Sequence, residues 1–193
     1  MTPDFCRRDL LGLALATPAL MAAREAFAAE TSSSGARGSI HDFDFFLGSW
    51  TVRHRRLRKR LAGNTDWEEF DGTTRCQSLL GGVVNLNESL AHRRTGPTAG
   101  LGLRAYDAKT DTWADWYLSA ANPHAIDKPG IGRFANGVGT FLSDDAFEGR
   151  PIQVRGQFRA LSPTEAQWDQ AFSPDGGATW ETNWIMRYSK VAG

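Results

Sequence analysis

From residue 41 onwards the chain is a succession of short strand-like runs separated by turn residues, and this spacing constrains the fold more than any other feature. Glycine, asparagine, aspartate and proline, which favour tight turns, interrupt the runs at short intervals. No amphipathic helix of convincing length follows residue 28. The predicted strands cover residues 51–61, 67–80, 83–92, 100–106, 113–121, 133–142, 152–160, 165–172 and 179–190.

These neighbouring hairpins would leave exposed sheet edges unless the sheet closes on itself. The chain length of 193 residues is ordinary for one such domain and gives no reason to divide it. We therefore predict an all-β fold, a single antiparallel up-and-down β-barrel of about 8–10 strands, with residues 41–193 as its domain. A barrel of this size is about wide enough inside for one small ligand.

The N-terminal residues have the features of an export signal. Arg7-Arg8 precede a mildly apolar run, residues 10–23, and Ala26-Phe27-Ala28 offers a small-x-small cleavage site. The paired arginines are typical of the twin-arginine route. The apolar run is shorter than the roughly 20 residues that a membrane span needs. We predict a twin-arginine signal peptide over residues 1–28 and a periplasmic or secreted protein with no membrane span after cleavage.

Composition and charge exclude several classes of protein. The chain carries 22 basic and 22 acidic residues, so no global field favours nucleic acid or an anionic membrane. Cys6 lies in the predicted signal peptide, so Cys76 would remain alone and no internal disulfide could form. Residues 29–40 are rich in serine, glycine and alanine, which predicts a flexible leader.

The predicted first strand follows the triplet Gly48-Ser49-Trp50. This triplet resembles the G-x-W motif of lipocalins and related small barrels. Residues 43–50 and 173–184 are also similar to a bacterial family of exported or soluble proteins of unknown function with lipocalin-like barrels, over most of residues 41–190. The resemblance implies that the tryptophan closes the barrel floor and that a basic residue of the last strand, Arg187, packs across it. It implies no catalytic role.

The first strand is unusually rich in cations. Alternation puts His54 and Arg56 on the same face as Trp50, and this face is expected to point inward because Trp50 marks the floor. A buried guanidinium needs a carboxylate or an anionic ligand beside it. His54 and Arg56 are therefore predicted either to bind an anionic group of a ligand or to pair with Glu69 or Glu88 on neighbouring strands.

Tryptophans on later strands supply candidate walls for a cavity. Trp116 alternates with Asp115 on the fifth predicted strand, and Trp184 lies on the last. Several indoles around one cavity suit a flat apolar ligand, and they equally suit a barrel filled by its own side chains. On the third strand, Leu86 and Leu90 share a face with Glu88. The predicted ligand-binding residues are His54, Arg56, Glu69, Glu88, Trp116 and Trp184.

Residues 173–180 match the S-x-D-x-G-x-T-W pattern called the Asp-box, which occurs in sialidase propeller blades. In this pattern the carboxylate of Asp175 accepts hydrogen bonds from turn amides, and glycine supplies a positive φ. We predict a structural turn. A single copy without a repeat does not indicate a propeller.

Metal and cofactor chemistry has little support in the sequence. The histidines at positions 41, 54, 92 and 124 have no metal-binding spacing, and no cysteine cluster exists. Haem would need His54 or His124 as an axial ligand. No nucleophile elbow, phosphate loop or dinucleotide fingerprint is present. No cofactor and no metal site are predicted.

Three functional hypotheses remain. The leading one is a periplasmic barrel that binds a small apolar or aromatic molecule, which can carry an anionic group. The alternative is a cofactor-free enzyme, an isomerase, cyclase or hydrolase of a small lipid-like substrate, in which Glu69, Glu88, Asp115 or His54 moves a proton. The third is an envelope interaction protein with an outer aromatic patch and a packed interior.

Overall fold

The computed structural model describes residues 38–192, and these form a closed antiparallel barrel of ten strands. The strands are β1 (Gly48–Leu57), β2 (Trp67–Leu79), β3 (Val84–Arg93), β4 (Gly96–Asp107), β5 (Thr112–Ser119), β6 (Gly130–Ala135), β7 (Val138–Phe147), β8 (Arg150–Ser162), β9 (Glu165–Ser173) and β10 (Glu181–Lys190). Strands that are consecutive in sequence pair with each other, and β1 closes the barrel against β10. The predicted all-β up-and-down barrel is confirmed.

The N-terminal predictions fall largely beyond this range. The predicted signal peptide, residues 1–28, lies outside the described residues, as does most of the predicted leader, residues 29–40. The last leader residues contact the barrel: Tyr106 Oη donates a hydrogen bond to the carbonyl oxygen of Gly38 over 2.8 Å. No helix within residues 38–192 is long and apolar enough to cross a membrane.

One predicted strand is two strands in the structure. The run expected over residues 133–142 divides between β6 and β7 at Asn136-Gly137. These two residues have φ angles of 51° and 77°, and positive φ at both positions is what a tight two-residue hairpin turn requires. The division explains why the described residues contain one strand more than the prediction.

An aromatic cluster fills the lower end of the barrel. A single 3₁₀ turn, Asp44–Phe46, enters this end and buries Phe43 and Phe46, each 1% exposed. The Phe43 ring makes edge-to-face contacts with Trp113 and Phe158 at centroid distances of 5.0 and 5.3 Å. This geometry is favoured between aromatic rings, so the cluster forms a dense base below an open upper half.

Trp50 completes this floor. Its indole is 1% exposed, stacks on Phe46 at 5.8 Å, and donates a hydrogen bond from Nε1 to the carbonyl oxygen of Phe46 over 2.9 Å. The indole therefore closes the floor, as the resemblance implies. The expectation for Arg187 is wrong: it is exposed, because Met186 and Tyr188 on either side of it occupy the inward positions.

The basic residue of β10 that lies against the floor is Lys190, whose Nζ is 5.2 Å from the ring centroid of Trp50, and β4 supplies a second, buried cation. The guanidinium carbon of Arg104 is 4.6 Å from the ring centroid of Phe158 and 5.1 Å from that of Phe43. Arg104 is 4% exposed, so this cation–π contact is desolvated and correspondingly strong.

The outer surface of β1 and β2 is charged. Arg53 Nη2 lies 2.9 Å from Glu69 Oε2, Arg53 Nη1 lies 3.1 Å from Asp71 Oδ1, and Arg55 also pairs with Glu69. The prediction that Glu69 faces the lumen is therefore wrong. It lies opposite Arg55 in the register, on the face that points to solvent. Solvent screens these exposed pairs, so they contribute little to stability.

The inward face of β3 is the polar one. Asn85 and Asn87 are buried, whereas Glu88 and Leu90 are exposed. The prediction that Glu88 belongs to the lumen is therefore wrong as well. The buried amide of Asn85 explains the choice, because its Oδ1 accepts a hydrogen bond from Arg104 Nη1 over 2.9 Å. An acceptor for the buried guanidinium of Arg104 stabilises the barrel more than the burial of Leu86 and Leu90 would, so the asparagines face inward and the leucines do not.

The Asp-box residues form the predicted structural turn between β9 and β10. Asp175 Oδ1 accepts hydrogen bonds from the Ser173 hydroxyl over 2.8 Å and from the Thr179 amide over 2.9 Å. The Thr179 hydroxyl also donates to the Asp175 carboxylate. This bond first, and then the bonds from the Thr179 amide and the Ser173 hydroxyl, lower the pKa of Asp175 to about 2. Gly176 and Gly177 have φ angles of 70° and 93°, so the turn requires glycine at these positions.

Candidate functional site

The upper half of the barrel contains two adjacent chambers. The upper chamber has a volume of about 650 Å³ and is bordered by Arg56, Arg60 and Lys128. The lower chamber has a volume of about 180 Å³ and reaches down to Asn87 and Arg104 above the floor. Seven residues line both chambers: Asp115, Trp116, Tyr117, Asp127, Trp168, Gln170 and Trp184. A small organic molecule fits this volume.

Two tryptophans form the aromatic wall of both chambers. The rings of Trp168 (β9) and Trp184 (β10) meet edge to face at 5.7 Å. Gly156 of β8 makes room for this wall, because a Cβ there would lie 3.2 Å from Trp168 Nε1. The Nε1–H of Trp168 is buried without a hydrogen-bond partner, so it is one donor that a bound molecule could satisfy.

His54 is packed into this wall as a neutral imidazole. Its ring stacks on Phe70 at 4.5 Å, and its Nδ1 accepts a hydrogen bond from Trp184 Nε1 over 3.2 Å. Burial, and then the charges of Arg56 and Arg93, lowers the pKa of His54 to about 4. The imidazole is therefore uncharged at neutral pH and orients Trp184, and it supplies no positive charge to an anionic ligand.

Acidification is expected to destabilise the barrel through His54. Its pKa is 6.5 as an ordinary histidine and about 4 in the barrel, so the unfolded chain binds more protons between these values. The stability that depends on neutral His54 is complete above pH 6.5 and is lost as the pH falls towards 4. The loss amounts to roughly 3 kcal/mol at most. Urea unfolding at a series of pH values measures it.

His54→Gln and His41→Gln are the matched variants for this prediction. Glutamine at position 54 can still accept from Trp184 but does not titrate, so we expect a flatter stability profile between pH 6.5 and 4. His41 is exposed, so His41→Gln makes the same substitution at a position outside the cavity wall. If the free energy of unfolding falls equally between pH 6.5 and 4 in the natural protein and in His54→Gln, His54 is not the group responsible.

Arg56 points into the upper chamber and has no carboxylate partner. Its guanidinium carbon lies 4.5 Å from the ring centroid of Trp184. No acid among residues 38–192 lies within ion-pair distance of Arg56. Glu68, its register partner on β2, pairs with Arg93 at 2.6 Å. Burial, with the nearby Arg60, lowers the pKa of Arg56 to about 10. Arg56 therefore remains a partly desolvated cation at neutral pH, and this favours an anionic ligand group beside it.

The lower chamber has a polar lining at its base. Arg104 Nε lies 3.1 Å from Asp115 Oδ1, and Arg104 Nη1 donates to Asn85. Burial raises the pKa of Asp115, while the charge of Arg104 opposes this rise. Asn87 Nδ2 donates to Thr74 Oγ1 over 3.1 Å. This network holds the guanidinium and the Asn87 amide in defined positions.

A loop of residues 120–129 lies over part of the mouth. Leu118 and Ile126 form an isolated β-bridge, and the amide of Asp127 donates to the carbonyl oxygen of Tyr117 over 3.1 Å. Burial, and then the charge of Asp145, raises the pKa of Asp127. The mouth therefore combines acids with the cations Arg56, Arg60 and Lys128, and burial lowers the pKa of both Arg56 and Arg60.

The structure brings together three of the six predicted site residues at the cavity: His54, Arg56 and Trp184. Glu69 and Glu88 are on the outer surface. The prediction that the Trp116 indole forms a cavity wall is wrong, because Trp116 lies opposite Leu103, on the face that alternates with the inward pair Arg104 and Asp115.

Sequence reasoning missed Asn87 and Arg104. A usable indication is the alternation of glycine with leucine in β4, where Gly100, Gly102 and Arg104 share the buried face. Glycines on an inward face leave space for large polar neighbours. In the part of the chain that the structure describes, no group of three or more metal-ligating side chains comes together.

Comparison with known proteins yields no family. No family model matches the chain, and no curated protein matches it. Among solved structures, the chain is similar to EF1p2_mFAP2b bound to DFHBI, with 13% identity, a TM-score of 0.43, and coverage of 79% of this chain and 98% of that chain. A second is a de novo designed fluorescence-activating β-barrel, with 14% identity, a TM-score of 0.42, and coverage of 77% of this chain and 95% of that chain.

A third solved structure is the redesigned β-barrel b11L5F_LGL, with 15% identity, a TM-score of 0.44, and coverage of 82% of this chain and 100% of that chain. At these identities and TM-scores none of the three supports an argument about function. The barrel assignment rests on the strand pairing of this chain itself.

Proposed function

We propose that the protein is a periplasmic or secreted barrel that binds a small planar aromatic molecule carrying an anionic group. One observation carries the proposal: Arg56 lies in an open aromatic cavity, against Trp184, with no carboxylate partner within the described residues. A cation in this position is stabilised by an anion that enters from the mouth. The indoles of Trp168 and Trp184 provide flat apolar contact for the remainder of such a molecule.

The open cavity favours this hypothesis over an interaction protein with a filled interior. The aromatic cluster that includes Trp50 fills the lower end of the barrel, yet the upper end retains the 650 Å³ chamber. The location is a separate proposal, which the N-terminal pattern around Arg7-Arg8 supports.

Arg56→Gln is expected to weaken the binding of aromatic carboxylates about tenfold or more, since a charge-assisted hydrogen bond contributes roughly 1.5–3 kcal/mol. Titrating the mature protein with benzoate, 2-naphthoate, cinnamate and decanoate by calorimetry measures the affinity. The methyl esters should bind the natural protein and Arg56→Gln equally, because they carry no charge for Arg56 to pair with.

Arg55→Gln is the matched control. Arg55 is the neighbouring arginine of β1, and its side chain pairs with Glu69 on the outer surface. Its replacement removes the same charge from the strand without changing the cavity, so the affinity should stay within about twofold. If no acid in the panel gives a saturable heat, or if Arg55→Gln weakens binding as much as Arg56→Gln, the proposal fails.

A cofactor-free enzyme is the second candidate, and Asp115 is the observation that favours it. Its carboxyl group borders both chambers, and burial raises its pKa, as is common for groups that exchange protons with a substrate. Turnover of a lipid-like ester or ketone that disappears in Asp115→Asn, while the fold is intact by circular dichroism, would support this function. Unchanged turnover in Asp115→Asn would exclude Asp115 as the group responsible.

A further inference from the structure

The lower chamber contains a hydrogen-bond acceptor that the protein itself does not satisfy. Asn87 is 6% exposed, and its Oδ1 is buried without a partner. Its Nδ2 donates to Thr74 Oγ1 and to Ser89 Oγ, and this orients the amide. Asn87 Oδ1 is therefore available to accept a hydrogen bond from a ligand in the lower chamber. A buried acceptor without a donor costs free energy, so its retention points to a donor that arrives with a ligand.

Gly102 lets this acceptor pack closely against the backbone of β4. A Cβ at position 102 would lie 2.5 Å from Asn87 Oδ1 and 2.9 Å from Arg104 Nη2. The acceptor and the guanidinium nitrogen therefore lie side by side over one glycine at the border of the lower chamber. A ligand atom that reaches them from the chamber would contact an amide oxygen that accepts and a guanidinium nitrogen that donates.

Only some chemical groups suit both partners. A hydroxyl can donate to Asn87 Oδ1 and accept from Arg104 Nη2 with the same oxygen. An ammonium group would face the positive charge of Arg104 at close range. A carboxylate would have no donor for Asn87 and would lie near Asp115, which also borders this chamber. The base of the lumen is thus complementary to a neutral hydroxyl.

We propose that the ligand is a hydroxyaryl carboxylic acid, bound with its hydroxyl on Asn87 and Arg104 and its carboxylate towards Arg56. This inference rests on the proposed binding function and names the class of ligand. Arg56 borders only the upper chamber and Asn87 only the lower one. The aromatic ring therefore spans the two chambers alongside Trp168 and Trp184, which border both.

Three ligands of nearly equal size test the hydroxyl directly. Calorimetric titration of the mature protein would compare 4-hydroxycinnamate, cinnamate and 4-methoxycinnamate at neutral pH. We expect 4-hydroxycinnamate to bind about tenfold more tightly than cinnamate, since it satisfies a buried acceptor. The methoxy compound accepts but cannot donate, so it should bind no better than cinnamate.

Two variants connect this preference to the lower chamber. Asn87→Leu removes the acceptor, and the Cβ of Gly102→Ala would lie 2.5 Å from Asn87 Oδ1 and displace it, so each should abolish the preference for the hydroxyl. Both should still bind cinnamate, because Arg56 and the tryptophan wall are unchanged. Should one variant fail to fold, the other answers the same question.

The outcomes separate this inference from the function on which it rests. Equal affinities of the natural protein for 4-hydroxycinnamate and cinnamate would overturn the inference and leave the binding function in place. A preference that persists in both Asn87→Leu and Gly102→Ala would also overturn it. If none of the three acids binds, the binding function fails and the ligand class fails with it.

Discussion

Replacing Trp50 by alanine is expected to lower the free energy of unfolding by about 3–5 kcal/mol. The indole is 1% exposed and stacks on Phe46, and its Nε1–H bonds to the carbonyl oxygen of that residue. Alanine would leave a cavity in the floor and an unpaired carbonyl above it. The cluster around Phe43 is rigidly packed, so it can collapse only partly into the space. Guanidinium chloride unfolding followed by circular dichroism measures the change.

Trp67→Ala is the matched control for the floor. Trp67 lies at the start of β2, partly exposed, with its ring 5.0 Å from the guanidinium of Arg55 on the barrel surface. Removal of this indole deletes the same number of atoms without opening a cavity, so we expect a loss of about 1 kcal/mol. Trp50→Phe should retain most of the stability. A loss for Trp50→Ala no larger than that for Trp67→Ala would show that the indole does not close the floor.

Replacing Arg104 by methionine is expected to cost roughly 3 kcal/mol at neutral pH. Arg104 is 4% exposed and is the cation beside Asp115, which is 3.1 Å away. Methionine would leave this carboxylate buried without a partner, which costs more than the lost contact itself. Because Arg104 opposes the burial that raises the pKa of Asp115, its removal should raise that pKa further. The loss should therefore shrink as the pH falls and the carboxyl takes up a proton.

A double-mutant cycle isolates this pair. Adding Asp115→Asn to Arg104→Met removes the unpaired charge, so the double variant should be more stable than Arg104→Met alone. Arg53→Met serves as the control, because the ion pairs of Arg53 with Glu69 and Asp71 are exposed and screened by solvent, so this variant should be nearly as stable as the natural protein. Additive effects of the substitutions at positions 104 and 115 would contradict a coupled pair.

The barrel itself could be predicted because its determinants are local. Turn residues end the strand runs, although Asn136-Gly137 is a turn that the prediction placed inside a strand, and a series of short hairpins can bury its edges only by closing. The inward face of β1 was also predictable, since Trp50, His54 and Arg56 alternate along one strand from a recognisable floor residue. Both inferences need only neighbours in sequence.

The candidate site was predicted only in part, and β3 shows why. Its apolar residues, among them Leu86, alternate as a buried face would, yet Asn85 and Asn87 point inward. The polar face of a strand points inward when a buried group on another strand needs a hydrogen-bond partner. Here that group is the guanidinium of Arg104 on β4. Periodicity alone does not contain this information, so Glu88 was placed on the wrong face.

The amino-acid sequence by itself determined the strand order, the turns and the aromatic floor, because turn propensity and period-two burial act over a few residues. Only the tertiary structure decided which polar groups face the lumen. Whether Glu69 pairs with Arg53 outside or Arg56 inside depends on the register between two strands. The unsatisfied oxygen of Asn87 depends on the meeting of β3 with Gly102 and Arg104 of β4. Buried polar groups take whatever partner the closed sheet brings within hydrogen-bond distance, and that distance exists only after the barrel has closed.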